Sequence, residues 1–177
     1  MKHPIKKTFL ILVLLNAIIF SCSKDENDAL NSLEDGTMAI TINGKSHSFD
    51  ASTTRVVHVS GSGYSLFSIV GVSIGISGTG NNTSISVSVS KNAPIELSDG
   101  LTFISPGDDL EVEYESYSLF DDNDGILAYS DDNAVLKITD YNESSGTVSG
   151  EFSAKVAEGD KSYDITGKFL NVPIAGS

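Results

Sequence analysis

Between Thr83 and Ser90 every second residue is apolar, with Ile85, Val87 and Val89 on one side of an extended chain and Ser84, Ser86, Ser88 and Ser90 on the other. A period of two over that length suits a half-buried β-strand, because a helix would spread the same residues around its whole circumference. Shorter runs of the same kind fill the rest of the chain from Met38 onward, and no segment after Cys22 carries a helical period.

Turn residues separate these runs. Asn43-Gly44 between Met38–Ile42 and Lys45–Phe49 is the strongest short hairpin signal available to a sequence. Arg55–Val59, Tyr64–Ile76 and Thr83–Ser90 follow, and Gly71 and Gly75 are placed to bend the second of them. Leu101–Ile104, Leu110–Ser118, Ile126–Ser130, Ala134–Asp140, Thr147–Val156 and Ser162–Val172 complete the set. This density of strands predicts an all-β domain, an antiparallel β-sandwich of about 8–10 strands, with a closed lipocalin-like β-barrel as the alternative. Hydrophobic residues make up 40% of the chain, enough to fill such a core.

The first 21 residues follow a different rule. Lys2, Lys6 and Lys7 precede an apolar run from Phe9 to Phe20, interrupted at Asn16. That run is well short of the roughly 20 residues a helix needs to span a bilayer, so the pattern reads as an export signal. Ile19-Phe20-Ser21-Cys22 then resembles a lipobox, with an aliphatic residue three positions before the cysteine and a small one directly before it; Phe20 departs from the usual middle residue. The resemblance implies that Cys22 carries a diacylglyceryl group and an acylated amine, palmitate among the chains, and two or more chains hold a protein stably on a membrane. Ser23-Lys24-Asp25-Glu26-Asn27-Asp28 resembles the short acidic export signal of Bacteroidota surface lipoproteins, in which Lys24, Asp25 and Glu26 would direct the protein to the outer face of the outer membrane. The chain thus divides into a signal peptide (1–21), a lipidated cysteine with a flexible acidic tether (22–36) and one all-β domain (37–177). The tether should reach on the order of 20 Å.

Three further segments are similar to a family of uncharacterised Bacteroidota lipoproteins. They are the opening Ala39-Ile40-Thr41-Ile42-Asn43-Gly44-Lys45 and the pair Gly146–Phe152 and Asp164–Val172. The resemblance implies architecture and no activity.

Charge excludes one class of partner. With Lys2, Lys6 and Lys7 removed, 8 basic side chains face 24 acidic ones, a net charge of −16, which repels phosphate backbones. Nucleic acid is therefore not an expected partner. The single cysteine permits no intramolecular disulfide, so the domain must be held by packing.

Four constellations bear on chemistry. Gly71-Val72-Ser73-Ile74-Gly75 spells the nucleophile-elbow motif, but all three histidines (His3, His47, His58) precede Ser73 and no helical pattern follows it, so small residues alternating in a strand are the better reading. Asp121, Asp122 and Asp124 before Gly125 offer alternate oxygen ligands suited to calcium, yet Phe120 stands at the first ligand position, which favours a solvated acidic turn. Glu111, Glu113 and Glu115 share one strand face at about 7 Å spacing; three carboxylates in a row fit a charged outer face better than a glycosidase pair. His47 and His58, without spaced partners, make no zinc site. No catalytic set emerges. The expectation is a lipid-anchored envelope protein facing the cell exterior, whose β domain serves binding, adhesion or assembly with envelope proteins or glycans. A glycan-directed enzyme or accessory module using carboxylates in 108–132, and a lipocalin-like carrier of a small ligand, are the alternatives.

Overall fold

A computed structural model of the chain describes Leu30 and residues 32–74, 82–117, 125–130 and 133–175. These form eleven strands: β1 (Thr37–Ile42), β2 (Lys45–Phe49), β3 (Thr54–Val59), β4 (Ser65–Ser73), β5 (Asn82–Lys91), β6 (Thr102–Ile104), β7 (Asp109–Tyr117), β8 (Ile126–Ser130), β9 (Val135–Asn142), β10 (Thr147–Glu158) and β11 (Lys161–Ala175). The fold is all-β, as the periodicity predicts, with one strand more than the upper end of the expected range. Asn43 and Gly44 both adopt positive φ (46° and 84°), the backbone that a two-residue type I′ hairpin turn demands.

The strands form one continuous sheet that folds over into two layers. One layer runs β2-β1-β11-β10-β9-β6, the other β3-β4-β5-β7-β8. Long β10 and β11 lace the layers together at two corners. Ile174 and Ala175 of β11 pair with Val56 and Val57 of β3, and Val156 and Ala157 of β10 pair with Ser130 and Tyr129 of β8. Each corner is only two residue pairs wide, so the architecture is sandwich-like. The β3–β11 corner is parallel, which makes the sheet mixed rather than wholly antiparallel as the sequence suggested. Phe49, Met38, Ile40, Phe169 and Leu136 from the first layer and Phe67, Ile69, Ile85 and Val56 from the second are fully buried between them. Burial of this apolar surface is the main stabilising contribution in a domain without disulfides.

The two segments that carry the C-terminal family resemblance have a packing explanation. Gly150-Glu151-Phe152 on β10 and Gly167-Lys168-Phe169 on β11 run antiparallel in a register that puts Gly150 opposite Phe169 and Phe152 opposite Gly167. Each ring lies over the glycine across from it. A Cβ at Gly167 would collide with the Phe152 ring, and one at Gly150 would meet the Phe169 ring and stand 2.6 Å from the Lys137 carbonyl oxygen. Glycine is required here by close approach.

Beside this pair the ladder slips. Both neighbours of β10 shift register next to Ser149. The Ser149 hydroxyl accepts a hydrogen bond from the Asn171 amide (2.9 Å) and donates one to Asn171 Oδ1 (3.2 Å), while Asn171 sits at φ 47°. The Asn171 side-chain amide in turn donates to Asp35 Oδ1 at 2.8 Å. Gly36 donates its amide to the Leu170 carbonyl at 2.7 Å. Leu30 and Leu33, both half-buried, border shallow hollows on the outer surface of β10 and β11 beside Glu151 and Lys168. The residues just before β1 are thus fastened to the domain.

A polar cleft at one end of the sandwich

The inward-facing row of each strand is apolar along most of its length and turns polar at the same end of the molecule. On β5, Val89, Val87 and Ile85 lead to Thr83; on β7, Leu110 and Val112 lead to Tyr114 and Ser116; on β4, Phe67 and Ile69 lead to Gly71 and Ser73. On β2, Phe49 is followed inward by His47 and Lys45, and on β11 the row Phe169, Gly167, Ile165 ends at Tyr163. Strand register brings these ends together, since Ser73 pairs with Thr83, Thr83 with Ser116 and Ser116 with Ile126 across four strands. Short side chains along that rim leave a cleft of about 560 Å³, which Ile42, Asn43, Lys45, His47, Tyr114 and Tyr163 also line. Its size is that of a small-ligand site.

Several features fix the geometry. The Asn43 side-chain oxygen accepts the Asp164 amide at 3.0 Å and the Asn43 amide donates to the Asp164 carbonyl at 3.1 Å, which pins the β1–β2 turn to the start of β11. The Tyr114 and Tyr163 rings lie 6.5 Å apart and are tilted by 49°. Burial pushes the Tyr114 phenol above its ordinary range, Tyr163 adds to the rise and the neighbouring Ser116 hydroxyl opposes it, so Tyr114 stays a neutral donor. Burial also holds the His47 imidazole below its usual value of 6.5, and the Lys45 ammonium beside it works in the same direction.

The His47 shift has a measurable sign. Below pH 6.5 the unfolded chain takes up the proton before the folded one, so stability falls as pH drops from 6.5 toward the depressed folded value. Above 6.5 this contribution is constant. His47→Gln is therefore expected to flatten part of the decline in urea midpoint between about pH 7 and pH 5. Parallel pH profiles for the two proteins would contradict this.

The structure separates residues that the sequence left open. His47 lines the cleft, whereas His58 donates its Nε2–H to the Ile95 carbonyl (2.9 Å) and packs against Phe67, far along β3. Ser73 shares the cleft with His47, which chain order alone gave no reason to expect, but no hydrogen bond joins the two. Glu111, Glu113 and Glu115 are absent from the cleft lining: they face outward opposite Ser88, Ser86 and Ser84, and Glu115 accepts a 3.3 Å hydrogen bond from Ser84. Burial disfavours ionisation of Asp108, but Lys91 at 2.7 Å and the Ile104 amide at 2.8 Å outweigh it and hold the carboxyl below the usual range. Asp108 thus has a structural partner.

Cys22, Lys24, Asp25 and Glu26 lie outside the described residues, as do Asp121, Asp122 and Asp124 of the acidic turn. Among the described residues no three His, Cys, Asp or Glu side chains gather as a metal site.

Comparison with protein-family models, with curated proteins and with solved structures found no match to this chain.

Proposed function

We propose that this chain is a lipid-anchored protein of the outer membrane, facing the cell exterior, whose β-sandwich holds a small ligand in the cleft at one end without transforming it. The anchor rests on Cys22 and the residues around it. The binding role rests on one observation: five strands end their inward rows in hydrogen-bonding side chains around a single cleft. Convergent polar groups above an apolar floor are what a recognition site needs. Turnover needs more, namely a nucleophile already bonded to its base or a carboxylate pushed into service. Ser73 and His47 make no such bond, and the Glu111–Glu115 row faces the other way.

Two measurements test this reading. A fluorophosphonate probe should leave Ser73 unmodified in the folded protein; its labelling, lost in Ser73→Ala, would replace capture by hydrolysis. Protease added to intact cells should remove the domain if it faces outward, and full protection would turn it inward.

A further inference from the structure

We infer that the cleft at the sandwich end takes a small, hydroxyl-rich organic acid of the carboxylated-sugar class, its carboxylate toward Lys45 and His47. This deepens the binding role proposed above and rests on it.

The first argument is charge. The whole chain carries 24 acidic side chains against 11 basic ones, yet among the described residues lining the cleft there is a lysine and a histidine and no carboxylate. Among those described residues the local sign is the reverse of the global one. Of the described acids next in sequence to the lining, Glu115 bonds Ser84 on the outer face, and Asp164 falls between inward-facing Tyr163 and Ile165 on the opposite side of β11. A field of overall negative sign repels anions at long range, so a cationic cleft within it discriminates by contact, at the carboxylate itself.

The second argument is the rest of the lining. Ser73, Thr83, Ser116 and two tyrosines present hydroxyls, each able to donate and accept, which matches a ligand whose own groups do both. A simple fatty or aromatic acid would leave these groups unpaired on closing the cleft, at a cost of about 1–3 kcal/mol for each one desolvated. The tilted pair Tyr114 and Tyr163 offers ring faces to the C–H side of a sugar, and Ile42 and Ile126 add apolar floor. At about 560 Å³ the space suits one or two sugar rings.

The test uses the exported chain carrying Cys22→Ala, labelled with nitrogen-15, and three probes: glucuronate, glucose and cyclohexanecarboxylate. Glucuronate should shift the amide signals of His47, Tyr114, Ser116 and Tyr163, and should bind at least about tenfold more tightly than either of the other two. Lys45→Gln, at an exposed edge-strand position that leaves the core intact, should weaken glucuronate by about tenfold and so remove its preference over glucose. Equal binding of glucose and glucuronate would overturn the anionic assignment while leaving the cleft as the binding site. Equal binding of cyclohexanecarboxylate would overturn the part played by the hydroxyls. Shifts confined to another surface, or none up to about 10 mM of any probe, would overturn both this inference and the binding role of the cleft.

Discussion

Gly167→Ala should lower the melting temperature by about 5–10 °C, the equivalent of about 2–3 kcal/mol in a domain of this length. The methyl group would enter the space held by the Phe152 ring, which lies directly over Gly167 across the β10–β11 ladder. The atoms in its way belong to one side chain, so the damage is repairable: Phe152→Leu, which costs about 1 kcal/mol by itself, should recover most of the loss when combined with Gly167→Ala. The companion site behaves differently. A Cβ at Gly150 meets the Phe169 ring and also approaches the Lys137 carbonyl to 2.6 Å, and that oxygen belongs to the backbone of β9. Gly150→Ala should therefore cost more, about 3–4 kcal/mol, and Phe169→Leu should not rescue it. Chemical denaturation of the four single and two double variants decides the matter. Additive losses at 152 and 167 would mean that the ring and the glycine are not coupled as described.

Cys22→Ala should move the protein wholesale from the membrane to the soluble fraction and abolish incorporation of labelled palmitate. The expected change is all-or-none, because single-chain attachment is already marginal and the variant would carry none. The fold should be indifferent, since the strands and core of the sandwich are built from residues 37–175. A variant that keeps its membrane attachment would sink the lipid anchor and with it the outward-facing assignment. Neutralising Lys24, Asp25 and Glu26 together makes a finer distinction: lipidation should persist while exposure to external protease is lost.

The strands were legible because alternation is a local signal. Ser84 to Ser90 announce an outer face and Ile85 to Val89 an inner one without reference to any other part of the chain. The Asn43-Gly44 turn was legible for the same reason, as its φ angles follow from residue type. The layer arrangement was not. It depends on β10 and β11 each switching partners along their length, and the slips beside Ser149 that accompany the switch depend on Asn171, 22 positions away in sequence. The cleft was least visible of all. Ser73, Thr83, Ser116 and Tyr163 each stand near a strand end, where a polar residue ordinarily reads as the approach to a loop, and His47 sits in a five-residue strand too short to show its phase. Only the register, Ser73 to Thr83 to Ser116, shows that these ends share one rim. A faint signal did exist: each of the strand-end residues keeps the phase of the buried row rather than of the outer one.

The fastening of Leu30 and Leu33 to the outer surface of β10 and β11 sets a length scale. On the proposed anchor, the chain available between lipid and the first packed side chain is at most the nine residues from Cys22 to Leu30, not the 15 from Cys22 to Gly36. Fully extended, nine residues cover about 30 Å. The domain would then stand off from the bilayer by no more than about 30 Å, and its encounters would be confined to that thin layer. Anything it holds would have to arrive by diffusion along the cell surface or through the first few nanometres above it. Freeing the strap by replacing Leu30 and Leu33 with serine would lengthen that stand-off without altering the anchor.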